Sequence, residues 1–535
     1  MRKRAALLSI SLLCGLLVGY PGPVRAAGTP DIAMSVEAPE QILLGETVTV
    51  RLKATNAAGP DGYNTSYRMV VPAGFTVVPG SGTPLSPEVI DHSNGTKTLL
   101  WLNASDSLTG ATSEVTVDLV AGSDTGPVTF QADAYTHDDA RQVPQFNTWG
   151  NVVPGSYTGS DNGSDTVALV PFRITGDVRR PENEIPRGVQ DFKTVVDLRV
   201  ENNHIGSSSD LEIVDYLPAS LEFLGCGDTD NSATGTEEYT GAGRIDSTPA
   251  PAMTNPCIAP SSVETVTEDP PGPLPHGVYT KITWDSAALT PTRANPGAGE
   301  DYTISYVTGV PRFANTDPGA PATANLDNNN GPSTIETTEQ QVTNYVAATG
   351  TYSGTSHQAD DEEILTLEDL SVQQTVSPGT IEQGGTSTWT LDLQVSEYTT
   401  STADTVVEVT VPDGLEVDTN SLTDGGAAVV NGDGTTTITW NLGSTLAGNS
   451  TKQLTYQTIT RNTYRGSGRP VLTGDSWTSD AKVTATLTDL NGETRTVRDE
   501  SNTSQKADGA SLTKEVAAPV SADGTCGDGS ALSWE

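Results

Sequence analysis

Gly385-Thr386-Ser387-Thr388-Trp389-Thr390-Leu391-Asp392-Leu393-Gln394-Val395 sets an apolar side chain at every second position from Trp389 onward. Successive side chains of a strand point to opposite faces, so this period of two predicts a strand with one buried face. The phrase is written three times: Gly45 is followed by Val48, Val50, Leu52 and Ala54, and Gly188 by Phe192, Thr194, Val196, Leu198 and Val200. Each time, 27 to 30 residues after the glycine, an apolar run reaches proline and resumes: Val71-Pro72-Ala73-Gly74-Phe75, Leu217-Pro218-Ala219-Ser220-Leu221 and Val411-Pro412-Asp413-Gly414-Leu415. Proline has no N–H to give a ladder, so each run predicts the end of a strand and a turn.

Beyond each corner a tryptophan stands in another alternating stretch, at Trp101, Trp284 and Trp440. A ring of that size in a half-buried strand reads as the plug of a core. A further strand follows, with Val115, Val117 and Leu119, then Ile304 and Tyr306, then Leu454 and Tyr456. The proline-to-tryptophan spacing is 29 in the first copy, 28 in the third and 66 in the second, so the second copy holds an insertion of about 37 residues, most of it flanked by Cys226 and Cys257.

Three copies predict an all-β chain of tandem immunoglobulin-like sandwiches at 29–168, 169–365 and 366–507, the second carrying the insertion. Segments 155–165, 317–340 and 498–509, rich in Gly, Asn, Asp and Thr, read as loops or linkers.

The arrangement resembles the conserved-repeat domains of the DUF11 type found in large actinobacterial and other bacterial surface and fimbrial proteins. Ser371-Val372-Gln373-Gln374-Thr375-Val376-Ser377-Pro378 with Gly384-Gly385 carries the match, and the first two copies follow it more loosely. Its motifs specify architecture better than activity. Members of that family often join a lysine of the first strand covalently to an asparagine or aspartate of the last, assisted by a buried acid. Gln374 occupies the lysine position of the third copy, and the first two offer Ala33-Met34-Ser35-Val36 and Pro171-Phe172-Arg173-Ile174. The resemblance therefore implies no such bond at that site in these three copies. Lys193 falls opposite the apolar face of Val196, Leu198 and Val200 and reads as solvated. Ser511-Leu512-Thr513-Lys514 rewrites the opening phrase and Ala531-Leu532-Ser533-Trp534 starts the next strand, so 508–535 is expected to open a fourth sandwich. Lys514 is its candidate isopeptide lysine. The expectation that goes with it is a longer protein whose downstream part provides cell-wall attachment.

Arg2, Lys3 and Arg4, an apolar run from Ala5 to Val18 and the small-residue site Val24-Arg25-Ala26 make 1–26 a secretory signal peptide, too short for a membrane span. The chain is then expected to be secreted or displayed at the cell surface. Its formal charge of −40 makes nucleic acid and anionic lipid poor partners. Export permits disulfides, and Cys226 with Cys257 is the one cysteine pair inside a single predicted domain; free thiols or a metal site are the alternatives.

No His-Glu-x-x-His, Gly-x-Ser-x-Gly or phosphate loop occurs, and His92, His137, His204, His276 and His357 are scattered, so no catalytic residue, metal ligand or cofactor is assigned. Asp228-Thr229-Asp230-Asn231 with Asp301, and Asn431-Gly432-Asp433-Gly434, offer oxygens for Ca2+ but read first as turns. Two functions compete. One is a structural stalk or adhesin binding an unnamed protein or glycan through its loops; the other is an accessory region of a secreted carbohydrate-active or other hydrolytic enzyme whose catalytic module lies outside this chain.

Overall fold

The computed structural model describes residues 28–189, 191–227, 258–311, 340–489 and 492–508, with only the backbone of the short strands Tyr239–Thr240 and Arg244–Ile245. The signal segment 1–26, Asp228 to Asn231, Cys257, residues 317–339, Lys514, Cys526 and all else beyond Asp508 lie outside the described residues.

The first sandwich has ten strands: β1 (Asp31–Glu37), β2 (Gln41–Leu43), β3 (Thr47–Ala58), β4 (Gly62–Val71), β5 (Thr76–Val77), β6 (Glu88–Asp91), β7 (Lys97–Ser107), β8 (Thr112–Val120), β9 (Gly126–His137) and β10 (Gly159–Val170). A four-stranded sheet, β1-β3-β8-β5, packs on a six-stranded one, β2-β10-β9-β4-β7-β6. Every pairing is antiparallel except that of β2 with β10, which is parallel. The same two orders recur between Phe172 and Glu368 and again between Leu370 and Ala507. The first two sandwiches make one compact unit, and the chain from Asp369 belongs to another.

The repeated phrases account for this architecture. In β3 and its counterparts Thr194–Asn202 and Thr386–Val395 the alternate residues Val50, Leu52, Val196, Leu198, Trp389 and Leu391 are fully buried. At each proline the chain leaves the six-stranded sheet and enters the four-stranded one, as β4 passes to β5. Phe75, Leu221 and Leu415 then drop into the core behind the turn. Gly414 must be glycine there, because its φ is +101° and a Cβ would lie 2.3 Å from Nε1 of Trp477. Trp101, Trp284 and Trp440, on β7 and its counterparts Gly277–Trp284 and Thr436–Gly443, are completely buried. Burying an indole of this kind returns roughly 4 to 6 kcal/mol of transfer free energy before entropy is counted.

Two polar segments read as linkers are not linkers. Residues 159–170 and 494–507 are the last strands of the first and third sandwiches. Ser, Asp, Asn and Gly on their outward positions mask the alternation, since only one face of these strands is covered. The chain instead passes between sandwiches across single residues, Pro171 and Asp369.

Candidate functional sites

Register identifies one core position in all three copies. Met69, Asp215 and Val409 each lie two residues before the end of the apolar run at the corner proline and pair with Ala132, Val346 and Ala481. Two residues earlier on those partner strands stand Phe130, Asn344 and Ser479, and from the opposite sheet come Val117, Tyr306 and Tyr456. The first strand contributes Val36, Gly176 and Gln374, each paired with a buried leucine: Leu52, Leu198 and Leu391.

The first copy is thus apolar at this place and the other two are polar. In the third, Nε2 of Gln374 donates to the Tyr456 hydroxyl at 2.9 Å and to Ser479 Oγ at 3.1 Å. In the second, the Tyr306 hydroxyl donates to Asp215 Oδ2 at 2.6 Å, and Asn344 faces the same carboxyl. Burial pushes Asp215 up to about 7, against the lowering effect of Tyr306, Asn344 and the backbone N–H of Tyr216. It also drives Tyr306 well above its usual range, with Asp215 adding to the rise. Oδ1 of Asp215 and Oδ1 of Asn344 are both buried without a hydrogen-bond donor. Sequence reading placed the lysine position of the second copy near Phe172 to Ile174; the register moves it to Gly176.

In every copy the first strand is also tied to the last. The N–H groups of Met34, Gly176 and Val372 donate to Oδ2 of Asp161 (2.8 Å), Asp361 (2.8 Å) and Asp499 (2.6 Å). The parallel pair follows directly: β2 on β10, Glu184–Pro186 on Thr355–Glu368, and Thr380–Ile381 on Thr494–Ala507.

The second feature that sequence reading missed is the connection between β9 and β10. It runs from 138 to 158, whereas the counterpart strands are joined by residues 353–354 and 490–493. Unequal spacing of the last two strands is the signal that was available. The connection lies over the outer face of the six-stranded sheet. Phe146 and Tyr157 pack edge-on against Tyr135 (5.7 and 5.0 Å), and burial, with Asp133 nearby, pushes the Tyr135 hydroxyl up to about 12. Trp149 remains 63% exposed.

Cys226 ends the strand Glu222–Cys226 and is disulfide-bonded; its expected partner Cys257 lies outside the described residues. Trp284 Nε1 donates to the carbonyl of Ile258 (2.8 Å), which anchors the returning end of that insertion to the core. Lys193 sits just ahead of its strand, half-buried, its carbonyl accepting from Arg180. Asn431 to Gly434 form the hairpin turn between Ala427–Val430 and Thr436–Gly443, and Asp433 Oδ1 accepts from the N–H and hydroxyl of Thr435. The Asp301 carboxylate accepts from Arg199. Among the described residues no group of three or more His, Cys, Asp or Glu side chains is placed to hold a metal, and no helix is long and apolar enough to cross a membrane.

No family model and no curated protein matches the chain. Solved structures that it resembles include the C-terminal domain of the antigen I/II polypeptide BspA of Streptococcus agalactiae, at 9% identity over 63% of this chain and 100% of that one, with a TM-score of 0.18. The C-terminal domain of the antigen I/II-family protein AspA of Streptococcus pyogenes aligns at 12% identity over 64% of this chain and 100% of its own, TM-score 0.21. A Corynebacterium diphtheriae protein described as membrane anchored aligns at 10% identity over 91% and 96%, TM-score 0.19. Scores this low carry no argument about function, and the fold stands on the strand topology.

Proposed function

We propose that this chain is exported and serves at a bacterial cell surface as a non-catalytic structural stalk that presents adhesive loops, in the manner of the DUF11-type repeats its sequence resembles. The observation that carries this reading is the threefold parallel pairing of an early strand with the last strand. Chain enters each sandwich through β1 or its counterpart, which runs on within a few residues into β2 or its counterpart, and leaves just after β10 or its counterpart. Tension between the two ends then pulls parallel partners in opposite directions, so their hydrogen bonds are loaded together instead of opening one at a time. The carboxylate contacts from Asp161, Asp361 and Asp499 reinforce the same junction. Such a module transmits force, which is what a stalk requires. The signal peptide and the acidic, repulsive composition agree with display outside the cell.

The test is single-molecule pulling on residues 27–508 with handles at both ends. Three unfolding events are expected at forces well above those that unzip a sheet strand by strand. Unfolding of all three sandwiches at unzipping forces refutes the stalk role, and failure to bind any matrix protein or glycan refutes the adhesive one.

A further inference from the structure

We infer that the 138–158 connection of the first sandwich is a binding platform for a neutral sugar ring, stacked on Trp149. This deepens the adhesive reading and depends on it.

The fold does not need this connection, since the other two sandwiches join the same strands through 353–354 and 490–493. Yet the segment is built in detail. Asn147 Oδ1 accepts from the N–H groups of Trp149 (2.9 Å) and Asn151 (3.1 Å), and Asn147 and Asn151 share a backbone hydrogen bond of 2.9 Å. The Gly150 carbonyl accepts from Arg68 Nε at 2.8 Å. A Cβ at Gly150 would come within 2.6 Å of Thr98 Cγ2, so the turn sits directly on the sheet, and its φ of +74° suits glycine.

The result is a fixed indole. Trp149 stacks on His92 with ring centroids 6.0 Å apart and planes within 5°, and His92 Nε2 is held by the Thr98 hydroxyl at 2.8 Å. A loop that only covered the sheet would turn its large ring inward, as it packs the half-buried Phe146 edge-on against Tyr135. Here the ring is backed on one face and 63% exposed, which leaves a flat π surface in water.

Charge selects among partners. The ionic groups beside the platform are already paired, Arg68 with Asp133, Lys97 with Asp91 and, within the connection, Arg141 with Asp139, and the exposed residues flanking Trp149 in the chain are Asn147, Thr148 and Asn151. These described neighbours offer no free cation to a phosphate, sulfate or sialate, and the chain's charge of −40 repels anions. A neutral pyranose fits: its C–H face lies on the negative face of the indole, its hydroxyls meet amides, and a preordered ring adds little entropic cost.

The experiment is a glycan array probed with residues 27–508, followed by titration of the best neutral oligosaccharide against wild type, Trp149→Ala and Trp149→Phe. Expected are binding to neutral glycans over sialylated or sulfated ones, roughly 30-fold weakening in Trp149→Ala as for a hot-spot aromatic, and partial retention in Trp149→Phe. Unchanged thermal melting of both variants separates lost binding from lost folding. Glycan binding unaffected by Trp149→Ala, or a protein ligand that requires Trp149 where no glycan binds, overturns the platform while leaving adhesion standing. Absence of any ligand, glycan or matrix protein, overturns both.

Discussion

The Tyr306 hydroxyl meets the Asp215 carboxyl at 2.6 Å in a core where, among the described residues, the groups facing that carboxyl are Tyr306, Asn344 and the Tyr216 N–H, and none is a cation. The two other sandwiches place Met69 and Val409 there, so the fold has no need of an acid. Oδ1 of Asp215 and Oδ1 of Asn344 are both buried without a partner, and burial favours the neutral acid.

A pH dependence follows. Asp215 stands at about 7 in the folded chain, above the roughly 3.9 of an unfolded aspartate. Its contribution is complete below the unfolded value and is lost as pH rises through the folded one, up to about 4 kcal/mol in all. Asp361 and Glu363, also raised by burial, add in the same direction. The second sandwich should melt lower at pH 8 than at pH 5, by on the order of 10 °C. Scanning calorimetry of the Asp215→Asn variant should show most of that difference gone; an unaltered pH profile would mean Asp215 is ionised throughout.

The tryptophans divide by burial. Trp440→Ala should cost about 3 to 5 kcal/mol, because it empties a filled core and takes from the Thr423 carbonyl, which accepts from Nε1 at 2.7 Å, one of its two donors, leaving only the Gly426 N–H. Trp149→Ala should change stability by no more than about 0.5 kcal/mol. Denaturant unfolding of the two variants decides it, and comparable losses would show that Trp149 is a structural residue after all.

Cys226 is predicted to pair with Cys257. Non-reducing peptide mapping should recover the two as one linked fragment, and Cys226→Ser should destabilise the second sandwich by roughly 3 to 4 kcal/mol, the entropy of a loop that long. The third sandwich, a separate compact unit, should melt unchanged.

Val50, Leu391 and the corner prolines made the sheets legible, because burial on one face writes a period of two into the chain. The last strands of the first and third sandwiches escaped that logic. Asp161, Asp165, Asp499 and Ser501 are polar on the side where they cap the N–H groups of the first strand, a role that depends on a partner 127 residues away in each case. Asp215 and Asn344 were equally silent, since neither acquires its role until two sheets bring them to Tyr306. Trp149 gives no signal of its own either, because an exposed and a buried tryptophan look alike without neighbours.

The last prediction concerns Gly176. Its register matches that of Gln374, whose side chain reaches Tyr456 and Ser479, the counterparts of Tyr306 and Asn344. A Cβ at Gly176 would meet only Val346 Cγ1 at 3.6 Å and Leu198 Cδ2 at 3.8 Å, both ordinary contacts, and no positive φ stands in the way. The second sandwich therefore holds a buried acid and an asparagine beside a position that can take an amine. In Gly176→Lys the amine, kept neutral by burial, should attack Cγ of Asn344. Asp215 would pass the proton, ammonia would leave, and an amide would join the first strand to the Asn344 strand. Intact-mass measurement should show the loss of one ammonia, and tryptic mapping a cross-link between the lysine introduced at position 176 and Asn344. Asp215→Ala in the same background should abolish it. A folded Gly176→Lys chain of unaltered mass would show that these three positions do not converge as the register says.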